Sequence, residues 1–274
     1  MSNLRFWSRV AVLVPVTLIG IPLQWAALRL GAPGRRAIPL AYHRIVCATL
    51  GVRRIVHGEP PRGPAALILS NHVSWLDICV LSALTPLSFI AKAEVGTWPV
   101  VSLLARLQRT VFIDRTRRAD TARANGAVAR RLREGDRIVL FAEGTTGDGT
   151  RVLPFRSALV GAAREALTAD GAGDVVLQPL AITYVRRDGL PLQRGDRPAI
   201  AWHGDMELAP HLKGILAGGP IDVQLTWGTP IPFDAGTDRK RATRRAEEEV
   251  RAKVREALAG GGRIGPSPQR DTGV

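Results

Sequence analysis

The chain has 274 residues, enough for one large domain or two small ones, and its 46% hydrophobic content supports a sizeable core. Its formal net charge is +14 and only four of its 38 basic residues are Lys, so the excess is almost entirely Arg. Such a charge attracts nucleic acid, anionic headgroups or acidic carrier proteins, and drift in a GC-rich genome also produces it; with only 5% aromatic residues, a base-stacking nucleic-acid module is disfavoured.

In chain order, the first feature is Val10–Leu28, a run without charge bracketed by Arg9 and Arg29 and long enough to approach a bilayer span. Pro15 and Pro22 interrupt it and remove two helix donors. Arg5 and Arg9 precede the run, and Arg29, Arg35, Arg36, Arg44, Arg53 and Arg54 follow it. Basic residues at both ends favour a helical hairpin or interfacial anchor over a clean crossing, and the positive-inside tendency puts the following chain in the cytoplasm. The expected organisation is an anchor over residues 1–45, a globular domain over 46–259 and a disordered tail over 260–274, on the cytoplasmic face of the cell inner membrane.

Within the globular part, strands are expected at Ala66–Ser70, Leu87–Ala91, Thr110–Ile113, Arg137–Phe141, Val175–Tyr184, Ala199–His203 and Ile221–Trp227. Helices are expected at Trp75–Leu84, Trp98–Leu107, Arg117–Arg133, Ser157–Leu167 and Asp238–Leu258. In the last of these Ala242, Ala246, Val250, Val254 and Leu258 form one apolar stripe. Alternating strands and helices predict an α/β fold, a mixed central sheet flanked by helices and preceded by the apolar anchor.

Four segments could carry chemistry. Asn71-His72-Val73-Ser74-Trp75-Leu76-Asp77 follows directly on a strand, at the end of the sheet where α/β ligand sites sit. There an acid can fix an imidazole tautomer and support its cation, although a His-x4-Asp pair alone also arises by chance at a helix start. Phe112-Ile113-Asp114-Arg115 offers a guanidinium for an anion, or simply a surface pair. Glu143 to Gly149 is Gly-rich but lacks the Gly-Lys-Ser/Thr ending of a Walker loop. Gln178 to Tyr184 reads only as an apolar strand carrying Pro179. Cys47 and Cys79 sit in no CxxC or Cys/His cluster, so neither a metal nor a disulfide is expected, and no cofactor is expected either.

Each block is weak alone, but their order and spacing resemble the glycerolipid acyltransferase family. That family carries Asn-His-x4-Asp, Phe-Ile-x-Arg, Phe-Pro-Glu-Gly-Thr and an apolar block with a central Pro; here Ala142 replaces the first Pro. Phe89 to Glu94, leading to Trp98-Pro99, is similar to the family's linker, and the likeness covers about Val56 to Phe233. The resemblance implies an acyltransferase domain in which His72 is a general base oriented by Asp77, with no acyl-enzyme; no Gly-x-Ser-x-Gly elbow is present. It also implies that Asn71, Arg115, Glu143, Gly144, Thr145 and Thr146 shape the acceptor site and that Pro179 helps line an acyl groove. The implied partners are a lysolipid acceptor, an acyl carrier protein or acyl-coenzyme A donor, and the membrane surface, without nucleic acid.

Many phosphate-accepting members read Glu-Gly-Thr-Arg, where this chain has neutral Thr146. Glu-Gly-Thr-Thr followed by Asp-Gly, with Ala201 to Met206 and Pro210-His211-Leu212, resembles the bacterial lyso-ornithine lipid acyltransferases. That resemblance favours a hydroxyl on an amide-linked acyl chain over lysophosphatidic acid as acceptor; an enzyme acting on both stays open because Arg115 remains. The rival classes are a basic membrane or nucleic-acid binding protein, a lipid hydrolase and a non-catalytic scaffold.

Overall fold

The computed structural model describes residues 2–61, 63, 65–114, 118–160, 175–233 and 236–260. Its strands are β1 (Val52–His57), β2 (Ala66–Ser70), β3 (Ser88–Lys92), β4 (Val111–Ile113), β5 (Arg137–Phe141), β6 (Val175–Arg187), β7 (Leu190–Pro191), β8 (Ile221–Trp227) and β9 (Ile231–Phe233). They form one mixed sheet in the order β1-β8-β6-β2-β5-β3-β4, with β7 and β9 also on β6. β2 is buried along its whole length because it pairs in parallel with β5 on one side and β6 on the other. A strand covered on both faces needs an unbroken apolar run, which ALILS supplies.

The helices are α1 (Ser2–Arg29), α2 (Ala37–Leu50), α3 (Leu76–Ser82), α4 (Pro99–Leu107), α5 (Arg118–Arg133), α6 (Leu208–Ala217) and α7 (Arg239–Ala259). One face of the sheet packs Leu67, Leu69 and Leu140 against α5 and α7; the other packs Ile68, Val139 and Leu180 against α2, α3 and α6. Asp238 caps α7 by accepting from the Lys240 and Arg241 amides, and Ala242, Ala246, Val250 and Val254 bury its apolar stripe.

α1 and α2 form an antiparallel hairpin. Thr17 Oγ1 lies 2.9 Å from the Tyr42 hydroxyl, and Gln24 Nε2 donates to the carbonyls of Arg35 and Leu107. At the other end, Arg9 donates to Thr49 and Leu50, which close α2, and to Ile215, Leu216 and Gly218, which close α6. α1 is thus held on the globular part at both ends. It is one helix through Pro15 and Pro22. Both prolines and the residues four before them, Ala11 and Leu18, lie on the exposed side, where carbonyls that lose a partner can turn outward. Leu4, Trp7, Leu18, Ile19, Leu23 and Trp25 are also exposed.

Most expected elements are found within a few residues, but one is corrected. Ala199–His203 is not a strand: Arg194–Ala199 forms a 3-10 turn and the chain runs on irregularly to Trp202. The cause is local, since Arg197 donates to the Gly149, Tyr184 and Leu192 carbonyls and Trp202 N donates to Val73, so this segment braces loops. Of the helix expected at Ser157–Leu167, Ser157–Val160 is a 3-10 turn and the rest lies outside the described residues, as do Arg115 and the tail from 261.

Candidate active site

β2 ends at Ser70, and the next residue extends its pairing through a side chain. Asn71 Nδ2 donates to the Ile182 carbonyl (2.9 Å), and the Ile182 amide donates to Asn71 Oδ1 (2.8 Å). This two-point clamp on β6 continues the ladder one residue beyond Ser70, whose partner is Leu180. The chain is then free to turn, and His72 comes out at the carboxyl end of the strand.

Asp77, fully buried in the first turn of α3, organises that turn. Its Oδ2 accepts from His72 Nδ1 (2.8 Å) and from the Val73 and Ser74 amides (2.7 and 3.0 Å). Its Oδ1 accepts from the Tyr184 hydroxyl on β6 at 2.6 Å. The imidazole stacks on Phe141 with ring centroids 3.7 Å apart and 6° between planes, and Phe89 stacks behind Phe141. The His72 side chain is 17% exposed. Nδ1 is bound to the carboxylate, so Nε2 is the ring nitrogen without a partner among the described residues. An imidazole oriented in this way can take a proton at Nε2 while Asp77 stabilises the resulting cation.

The Gly-rich loop after β5 closes over the same turn. Gly144 has φ +74° and Gly149 φ +73°, the left-handed region that glycine enters without strain. The Gly147 amide donates to the His72 carbonyl at 2.8 Å, fixing the loop to the histidine. Glu143 is 2% exposed; its Oε1 accepts from the Leu153 amide (3.1 Å), and its Oε2 is buried without a partner. Burial pushes this carboxyl up to about 8, against the pull of the Leu153 and His72 backbone groups. A carboxyl so perturbed beside the turn that carries His72 has the character of a functional cleft.

A family model described as Acyltransferase matches residues 53–183. Over 259 residues the chain is 47% identical to a protein of Brucella abortus named lyso-ornithine lipid O-acyltransferase, covering 94% of this chain and 97% of that one. The chain belongs to the acyltransferase family. A 1-acyl-sn-glycerol-3-phosphate acyltransferase of Neisseria meningitidis is 34% identical over 212 residues, covering 77% of this chain and 78% of its own. The crystal structure of the 1-acyl-sn-glycerophosphate acyltransferase of Thermotoga maritima shares the fold: TM-score 0.65 at 20% identity, covering 94% of this chain and 98% of the other.

In this acyltransferase, the structure brings together His72, Asp77, Glu143 and Gly144. Asn71 is 3% exposed, and its amide is committed to the Ile182 backbone. Thr145 is exposed and Thr146 half-buried on the loop. Pro179 is buried on β6 in register with Leu69, on the face that carries Leu177 and Ala181, whereas Phe141 beneath His72 belongs to the opposite face. β6 pairs with β9 up to Leu177 and with β8 from Leu180, so the residue without an amide hydrogen falls where the partner strand changes. Sequence reading missed Tyr184 and the Phe141 stack. A phenol ending an otherwise apolar strand was the available signal for Tyr184.

Proposed function

We propose that this acyltransferase moves a fatty acyl group from a thioester to the hydroxyl of a lysolipid, with lyso-ornithine lipid as the acceptor. The observation that carries the reading is the His72–Asp77 pair, with Nε2 unpartnered, in a chain 47% identical along nearly its whole length to a lyso-ornithine lipid O-acyltransferase. His72 Nε2 takes the acceptor hydroxyl proton as that oxygen attacks the thioester carbonyl. The tetrahedral intermediate expels the thiolate, and the imidazolium returns its proton to sulfur. The ester C–O bond forms as the C–S bond breaks. A cysteine acyl-enzyme has no support: burial pushes the Cys47 thiol up to about 11 and the Cys79 thiol higher still.

Glu143, Gly144, Thr145 and Thr146 border the acceptor in this reading, and neutral Thr146 suits an acceptor without phosphate. The donor is the thioester of acyl carrier protein or coenzyme A; both are acidic, and the +14 charge suits either. The α1–α2 hairpin is proposed as a monotopic anchor on the cytoplasmic face of the inner membrane, its exposed Leu, Ile and Trp side chains entering the lipid. A second reading, 1-acylglycerol 3-phosphate as acceptor, is favoured by the Neisseria meningitidis relative.

The test is acyl transfer from labelled acyl carrier protein or acyl-coenzyme A to each acceptor, by wild type and His72→Ala. Transfer to lyso-ornithine lipid that the substitution abolishes is the expected result. Transfer confined to the phosphate acceptor would reverse the acceptor order, and transfer surviving the substitution would remove His72 as the base.

A further inference from the structure

We propose that Tyr184 is a positioning residue of the acyl-transfer centre, holding the Asp77 carboxylate in the rotation that presents Oδ2 to His72 and setting how strongly Asp77 supports the imidazolium. The proposal rests on the reading of His72 as general base.

The two carboxylate oxygens are used unequally. Oδ2 collects three donors, all from the turn that carries the histidine: His72 Nδ1, Val73 N and Ser74 N. Oδ1 has one, the Tyr184 hydroxyl, contributed by a strand 107 positions further along the chain. Among the described residues, the Oδ1 contact is therefore the one tie between the carboxylate and the central sheet. Without it, Oδ1 would have no donor in a site that is closed to water, since Asp77 is fully buried. A buried carboxylate oxygen without a donor is expensive, and the carboxylate would tilt toward the imidazole, drawing harder on it from a poorer angle.

Tyr184 is itself fixed. It is 3% exposed, its carbonyl accepts from Arg197 Nη1, and the β6–β8 register shifts between Tyr184 and Arg186. The ionisable groups facing this centre are His72 from its own turn, Tyr184 on β6, Cys79 on α3, Cys47 on α2 and Glu143 after β5. Burial raises Tyr184 well above the ordinary phenol range and raises both thiols, so the phenol stays a donor and the thiols stay neutral at working pH. A hydrogen bond donated to Asp77 withdraws negative charge from the group that stabilises the imidazolium. Deleting it leaves more negative charge on Asp77 for the imidazolium and moves the acid limb of the rate profile to higher pH; a stronger donor moves the limb lower.

The experiment compares kcat, KM and the pH profile of acyl transfer in wild type, Tyr184→Phe and His72→Ala. Tyr184→Phe is expected to lower kcat roughly tenfold to a hundredfold, to leave KM for donor and acceptor within about twofold, and to move the acid limb up. The opposite perturbation uses the fact that the chain has only two tyrosines. In a Tyr42→Phe background, replacing tyrosine by 3-fluorotyrosine labels Tyr184 alone, strengthens the donor and should move the limb down. This arm keeps the ring in place and decides the matter if Tyr184→Phe fails to fold. An unmoved acid limb in both arms overturns the proposal even if kcat falls, because a merely structural contact would lower activity without tuning the base. If His72→Ala is inactive while Tyr184→Phe behaves as wild type, the positioning role alone fails. If His72→Ala retains transfer, the base reading fails first.

Discussion

Replacing Arg9 tests whether the N-terminal helix is part of the folded body or an appendage. Its guanidinium donates to five carbonyls, at 3.0 Å to Thr49 and Leu50, and at 3.2, 2.9 and 2.8 Å to Ile215, Leu216 and Gly218. These lie at or just beyond the ends of α2 and α6, where helix carbonyls lack intrahelical partners and the dipole favours a cation. Nη1 has two hydrogens for three of the acceptors, so not all five bonds reach full strength. The site is partly solvated, so water replaces part of each bond on deletion. At about 0.5–1 kcal/mol net per bond, Arg9→Ala costs about 3 kcal/mol. For a chain of this size that lowers the melting temperature by roughly 6–12 °C. The assay is thermal unfolding in detergent with limited proteolysis across α1, which should become cleavable well below the main transition. Arg9→Lys should recover less than half of the loss, because one ammonium cannot fork across two helix ends. A melting temperature within about 1 °C of wild type in Arg9→Ala would refute the reasoning, and full recovery by Lys would show that charge, not the fork, does the holding.

Glu143 gives a pH signature. Burial lifts its carboxyl from 4.5 to about 8, so between those values the folded chain keeps a proton that the unfolded chain releases. This contribution to stability is fully present below 4.5 and is lost as pH rises to about 8; Glu143→Gln should flatten the decline of melting temperature over that window, and an unchanged slope counts against a buried neutral acid. Gly149→Ala combines a φ of +73° with a Cβ placed 3.1 Å from Val73 Cγ1, beside His72. It should cost about 1–2 kcal/mol in a denaturant melt and lower kcat as well, whereas a neutral effect would mean that the loop relaxes freely. Thr146→Arg introduces a guanidinium at the proposed acceptor site and should raise the rate on 1-acylglycerol 3-phosphate relative to lyso-ornithine lipid about tenfold; a constant ratio would remove Thr146 as a determinant of acceptor choice.

The parts of the fold that were legible in sequence are those whose burial leaves no alternative pattern. β2, β5 and β8 match expectation residue for residue, because ALILS and RIVLF are short apolar runs and IDVQLTW alternates apolar with polar residues. β6 runs on to Arg187, since Arg186 and Arg187 pair with β8 and β7 near the edge and break the apolar pattern without breaking the ladder. β9 was not read because Pro232 lies within it, and an edge strand tolerates that proline. Ala199–His203 was misread because four of its five residues are apolar, while its place is set by Arg197 and by the Trp202–Val73 bond. In the site, the spacing from His72 to Asp77 is local and could be read. The Tyr184 contact, the Asn71 clamp on Ile182 and the placing of Pro179 across the sheet from His72 all arise when β6 is laid beside β2. That pairing joins residues more than a hundred positions apart, and no local pattern encodes it.

A second set of long-range contacts links the apolar hairpin to the site. α6 is the shared part. Arg9 on α1 closes its C-terminal end, and His211 in its second turn accepts the Trp75 indole N–H at 3.0 Å. Trp75 stands between Ser74, whose amide binds Asp77, and Leu76, where α3 begins. A short chain of bonded groups therefore runs from the α1 helix through α6 to the turn that holds His72. Gln24 ties α1 to the end of α4 as well. On the proposed reading, a lysolipid keeps its chain in the membrane while its hydroxyl reaches a base that sits at a fixed depth relative to the hairpin. Enzyme and bilayer then fix the approach of the acceptor before chemistry begins, and the reaction gains from orientation that a freely tumbling site would have to establish at each encounter.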